Sequence, residues 1–266
     1  MDIQPRRSLD CSYKSNTAPP VIESPVFRVF LYGLITAVAT GFGAAPFLFI
    51  KQMSHRWLGI SNALAAGLMG AASWGLVYEG LEYSMPRTVI GILLGLVFIV
   101  ASRKLIGDRE VDWGEMDQAD ALKILLILGV MTMHSFTEGV GVGVSFGGSE
   151  ALGTYITTAI AVHNIPEGLA ISLVMVPRGT SVWKAAGWSV FSSLPQPLMA
   201  VPAFLFVEVF RTFLPVGLGF AAGAMIWMIF SELVPEALDD ATPNTVAITV
   251  VIAISAMIAF QSLIGG

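Results

Sequence analysis

Cysteine occurs once in the 266 residues, at Cys11. An intrachain disulfide is therefore excluded, and so is a thiolate metal centre; any metal site in this chain must use nitrogen and oxygen donors. Charge is almost as scarce. Asp, Glu, Lys and Arg make up 12% of the chain and hydrophobic residues 55%, whereas a soluble domain carries about 25% charge. With 14 basic against 19 acidic residues the net charge is −5. No clustered basic face exists to bind phosphates, so a nucleic-acid partner is not expected. Histidine is confined to His55, His134 and His163.

What remains is an alternation of long apolar runs and short polar breaks. A bilayer crossing needs about 20 mainly apolar residues. Eight segments qualify: 26–50, 58–80, 87–107, 121–147, 151–176, 183–207, 213–236 and 243–264. The fold class expected is all-α, a polytopic membrane protein of eight transmembrane helices. No linker exceeds about a dozen residues, which leaves no room for an extramembrane domain. Residues 1–25 are polar, hold four prolines and read as a disordered tail ahead of the helical domain over 26–266. No short apolar core with a small-residue cleavage site follows the tail, so a cleaved secretory signal is not expected, and Asp2, Asp10 and Glu23 count against a transit peptide.

Lys51, Arg56, Arg103, Lys104, Arg109, Lys123, Arg178 and Lys184 fall on one side of this layout; the loops of the other side offer only Arg87 and Arg211. The positive side is predicted to be cytoplasmic, with both termini outside. Arg6, Arg7, Lys14 and Arg28 in and beside the tail pull the other way.

Two stretches inside the fourth and fifth segments carry the chemistry. They read His134-Ser-Phe-Thr-Glu138-Gly139 and, 29 residues on, His163-Asn-Ile-Pro-Glu167-Gly168. On a helix, residues four apart share a face, so each stretch presents an imidazole and a carboxylate together. Ionisable groups inside a membrane are costly and mark function. A lone His or Glu in a bundle is more often a satisfied packing group, but the repeat on adjacent, antiparallel spans favours a divalent cation. Two carboxylates neutralise a 2+ ion, and imidazole suits zinc and its neighbours rather than calcium or magnesium. Asn164 adds a carbonyl oxygen. Pro166 is expected to kink its helix and free the Val162 carbonyl, and Thr137 to bend the fourth span by bonding back to a carbonyl.

Weaker signals surround these. Pro195-Gln196-Pro197 breaks the sixth span and exposes one amide. Glu232 lies within the apolar zone of the seventh span and Glu236 at its cytoplasmic end. Glu79 and Glu82 close the second span, as an outer rim or a solvated end. The acids between Asp108 and Asp120 read as a solvated loop, and Gly41, Gly43, Ala44 and Ala45 before Pro46 as a smooth helix-contact surface.

These residues resemble the ZIP (Zrt/Irt-like) family of divalent metal transporters, closest to its GufA-like bacterial-type branch. The likeness rests on His-Ser-x-x-Glu-Gly in span four, His-Asn-x-Pro-Glu-Gly in span five and Gly-Ala-Met…Ser-Glu-x-x-Pro-Glu in span seven. The resemblance implies an eight-helix bundle with both termini outside. It implies transport of Zn²⁺, or Fe²⁺, Mn²⁺ or Cd²⁺, toward the cytoplasm as substrate, with no cofactor required. It assigns His134, Glu138, His163, Asn164 and Glu167 as metal ligands, with Ser135, Gln196 and Glu232 as candidates for a secondary metal position or the pathway. It also implies an elevator-like shift of spans one, four, five and six, with Gly41 to Pro46 on the sliding surface. Ser135 stands where the family usually has Asn, Gln196 where relatives carry a bridging glutamate, and Ser231 where a histidine is common; the third cytoplasmic loop lacks a His-rich run. The expected partners are a divalent ion and a lipid bilayer, in the plasma or inner membrane or an organelle membrane, with a homodimer left open. The rival readings are an intramembrane metal-dependent hydrolase, for which no His-Glu-x-x-His unit is present, and a metal sensor that binds without translocating.

Overall fold

The computed structural model describes residues 24–50, 54–106, 116–176 and 179–264. The polar tail over 1–23 and most of the acidic linker lie outside the described residues, as does the side chain of His55. Every regular element described is helical.

Helix α1 (Pro25–Gly41) starts where Ser24 accepts from the Phe27 amide, with proline in its first turn, and runs into a 3₁₀ segment, Phe42–Leu48. Helix α2 (His55–Ile106) covers 52 residues, about 78 Å if straight and more than twice a hydrocarbon core. It cannot stay straight: Ser84 is extended (φ −169°, ψ 106°), with Pro86 two residues on. A side chain at Gly80 would meet Thr88, a pair about 12 Å apart along an unbroken helix, so the two halves fold back on each other. Helices α3 (Met116–Gly148) and α4 (Glu150–Met175) form a hairpin around Ser149, which caps α4 by accepting from the Leu152 amide. Asp117 and Asp120, read from the sequence as loop, belong to α3.

Helices α5 (Val182–Ser193) and α6 (Pro195–Val209) are one interrupted span, broken at Leu194 because Pro195 and Pro197 supply no amide hydrogens there. Helix α7 (Leu214–Met228) widens into a π-helical turn over Ile229–Leu233, continues as α8 (Val234–Asp240), and is followed by α9 (Pro243–Ile264). Six helical stretches among the described residues are long and apolar enough to cross a membrane: 25–48, 56–104, 150–175, 182–209, 211–240 and 243–263. Leu93, Val97, Phe191, Val209, Phe230 and Val251 line their exposed outer surfaces.

Contacts of glycines with the backbone of a neighbouring helix sort the helices into two groups. Gly91 and Gly95 seat α2 on carbonyls of Val216 and Phe220 in α7, while Gly219 and Gly223 seat α7 on carbonyls of Thr88 and Ile92. No Cβ fits between these backbones, so α2, α7, α8 and α9 form one group. In the other group Gly139 and Gly143 bring α3 onto the backbone of Gln196 and Ala200 in α6. Gly168 of α4 meets the Thr40 carbonyl, and Gly43 meets the backbone of Ile165 to Leu169. The small residues before Pro46 thus make the close helix contact read from the sequence, Gly41 against α5 and Gly43 against α4, inside the group formed by α1 and α3–α6.

Between the groups sits an apolar core that includes Met69, Leu76, Tyr155, Ile156, Ile160, Leu218, Met225 and Met228. It packs beside the N-terminal half of α4. Beside the C-terminal half, a cavity of about 380 Å³ is lined by Asn62, Pro166, Leu169, Glu236, Asp239 and Asp240, among others.

Candidate metal centre

The paired units of α3 and α4 meet in the interior. His134, Glu138, His163, Asn164 and Glu167 are all buried, the most exposed at 5%. Each unit shares a helix face as the spacing predicts, but the closest partners are across helices rather than along them. His163 Nε2 is 2.6 Å from Glu138 Oε1, and His134 Nε2 is 3.0 Å from Glu167 Oε1. The same-helix distances are longer, 3.7 Å for His134–Glu138 and 3.9 Å for His163–Glu167. Four atoms therefore form a ring of alternating nitrogen and oxygen. A tetrahedral zinc with ligands at about 2.0–2.1 Å holds its donor atoms roughly 3.3–3.4 Å apart, a value inside the observed spread. His134, Glu138 and Glu167 alone bring donor atoms within 4.8 Å of one another.

The hydrogen-bond pattern leaves lone pairs aimed inward. The Ala159 carbonyl only accepts, so His163 Nδ1, 3.0 Å away, must be its donor. In the neutral ring Nε2 is then a bare acceptor facing a carboxylate oxygen, an arrangement that needs a proton or a cation between the two. Asn164 Nδ2 donates to the Thr36 carbonyl at 2.8 Å and to Gln196 Oε1 at 3.1 Å. Both contacts are acceptors, which fixes the amide's orientation. Asn164 Oδ1 is left buried without a hydrogen-bond partner, as are His134 Nε2, Glu167 Oε1 and Ser135 Oγ. The 3.0 Å approach of His134 to Glu167 is not aligned as a hydrogen bond. Unsatisfied groups at this depth are costly, and so many on one site call for a missing ligand.

Gln196, at the start of α6, uses its whole carboxamide: Nε2 donates to Glu138 Oε2 at 2.5 Å and Oε1 accepts from Asn164. The break at Leu194 places it there. Thr137 donates to the His134 carbonyl at 2.7 Å, the back-bond read from the sequence. Helix α4 continues through Pro166 as one helix, so the proline does not end it. Glu232 does reach the site, with Oε2 3.8 Å from His134 Nδ1. Glu236 accepts from Asn62 at 3.1 Å.

Two contributors escaped sequence reasoning. The Thr36 carbonyl has no signal, since any residue carries one. Arg103, which pairs with Glu232, is visible in the sequence only as one of many charges ending a span.

Comparison with known proteins bears on the same residues. The family model described as ZIP Zinc transporter matches residues 108–260. A protein of Arabidopsis thaliana named for zinc transport is 48% identical over 242 residues, covering 90% of this chain and 39% of its own length, so the chain spans about two fifths of that relative. Zinc transporter GufA of Myxococcus xanthus is 31% identical over 76% of this chain and 85% of its own. Zinc transporter ZIPB of Bordetella bronchiseptica is 27% identical over 88% of this chain and 81% of its own. These relatives are named as transporters and not as enzymes. With the family model covering more than half of its residues, this multi-pass integral membrane chain belongs to the ZIP zinc transporter family.

Proposed function

We propose that this chain moves divalent metal ions across a bilayer, zinc foremost, through the site between α3 and α4 and toward the cytoplasm. The carrying observation is the ring of His134, Glu138, His163 and Glu167 donor atoms, two nitrogens and two oxygens, with cross-helix contacts of 2.6 and 3.0 Å. Its ligands are those four residues and Asn164, whose free Oδ1 is held in position by Thr36 and Gln196. Two imidazoles exclude a magnesium-type shell, and two carboxylates balance the ion's charge.

Eight crossings follow if α2 is counted twice about Ser84 and α3 is added to the remaining spans; an even number puts both termini on one face, and the basic loops of the opposite face make it the outer one. The two glycine-mated groups supply the bodies for an elevator-like movement, α1 and α3–α6 shifting against α2 and α7–α9. Gln196, already committed to Glu138 and Asn164, argues for one well-held ion. The cavity reaching Pro166, one residue from Glu167, supports an inner path.

The test is Zn²⁺ flux into proteoliposomes by the purified full chain, compared with Glu138→Ala plus Glu167→Ala. Flux abolished by the double substitution supports transport. Equal flux with and without it overturns the reading, and binding without flux identifies a sensor.

A further inference from the structure

His134 is shared between the two helix groups. Its Nε2 faces Glu138 and Glu167 within its own group, while Nδ1 lies 3.8 Å from Glu232 Oε2 on the π-helical turn after α7. Glu232 Oε1 in turn accepts from Arg103 Nη1 at the end of α2. The Arg103 guanidinium lies over the Trp227 ring, 5.5 Å from its centroid. A continuous line of charge thus runs Glu167, His134, Glu232, Arg103, with side-chain exposures of 4%, 3%, 13% and 39%. The line leads outward from the buried site. Gly91, Gly95, Gly219 and Gly223 lock α2 to α7, so Arg103, Trp227 and Glu232 belong to one unit, and His134 to the other.

Resting on the transport reading and on Glu232 as its pathway ligand, we propose that Arg103 is a tethered cation that holds Glu232 between ions and sets how quickly it lets the departing divalent ion go. Arginine is charged at every working pH, so the carboxylate is never left uncountered. An ion leaving His134 takes over one Glu232 oxygen and meets the guanidinium's repulsion at the same moment. Trp227 keeps Arg103 beside the relay while the ion passes, and the pair re-forms when the ion escapes. Without Arg103, Glu232 would stand uncountered in a poorly solvated place and retain the ion. Arg103 acts through Glu232 and is a positioning residue.

The experiment measures Zn²⁺ flux in proteoliposomes for the wild type, Arg103→Gln, Arg103→Lys, Glu232→Gln and the Arg103→Gln/Glu232→Gln double variant. Slow release lowers KM and maximal rate together, so Arg103→Gln is expected to reduce both by about five-fold, while Arg103→Lys stays within about two-fold because it keeps the charge. The double variant is expected to recover the rate of Glu232→Gln alone, which lies between wild type and Arg103→Gln. A rate lost at unchanged KM, with no recovery in the double variant, is what lost packing would give and overturns the proposal; so do wild-type kinetics in Arg103→Gln or in Glu232→Gln. If Arg103→Gln does not fold, Glu232→Gln still decides. If the wild type carries no flux, the transport reading fails first. Release of Zn²⁺ from detergent-purified protein to a chelating dye then judges the pair alone: slower release from Arg103→Gln supports it, and equal or faster release overturns it.

Discussion

His163 Nε2 and Glu138 Oε1 face each other at 2.6 Å across two helices, with Nδ1 of the same ring already donating to the Ala159 carbonyl. Two lone pairs cannot be held that close unless something positive lies between them. Either a proton or a divalent ion can fill that role, so the two compete and metal binding is tied to proton release.

Metal affinity is therefore expected to fall as pH is lowered, because protonated histidine cannot ligate. The sign follows from competition: more protons, less metal. Isothermal titration with Zn²⁺ in detergent between about pH 5.5 and 8, in two buffers of different ionisation heat, checks both the trend and the released proton. A pH-independent affinity would remove histidine from the ligand set.

Substituting His163→Ala is expected to weaken Zn²⁺ binding by at least about a hundred-fold, the upper end of what outer-shell partners alone cost. Glu167→Gln should do likewise. The overall fold should survive, as judged by thermal unfolding of the purified protein.

Gln196 ties Glu138 to Asn164 through one carboxamide. Gln196→Leu, which keeps the volume and removes both bonds, is expected to lower affinity by about ten-fold without changing stoichiometry. Gln196→Glu brings a third carboxylate to the site and is expected to raise the stoichiometry from one Zn²⁺ to two, read by elemental analysis after dialysis.

Gly168 abuts the Thr40 carbonyl, and nothing lies near Gly187. Gly168→Ala is expected to destabilise by about 1–3 kcal/mol through overpacking. Gly187→Ala should be neutral or stabilising by up to about 1 kcal/mol, from helix propensity. Melting of both variants in one detergent gives the comparison.

Much of the site is legible in the sequence. The spacing of His134 with Glu138 and of His163 with Glu167 needs only the pitch of a helix, and the burial of both pairs follows from their apolar surroundings. Thr137 also behaves as its hydroxyl chemistry suggests. Pro166 and the glycines around Gly43 are harder to read. Whether a proline bends or breaks a buried helix depends on what packs around it, and a stripe of small residues says that a backbone comes close without saying which one. In this chain Gly43 meets α4, a partner more than a hundred residues away in the sequence.

Composition and local spacing by themselves determined that the chain lives in a membrane, that any metal site in it must use nitrogen and oxygen donors, and which residues on each of two helices share a face. These are properties of solvation and of a single helix. Only the tertiary structure decided that the pairs interlock, Glu138 with His163 and Glu167 with His134, and that Glu232 is countered by Arg103. Those choices depend on the register between helices, which is set for α3 and α4 by their hairpin at Ser149 and for α2 and α7 by glycines closing backbone on backbone at positions far apart in the chain.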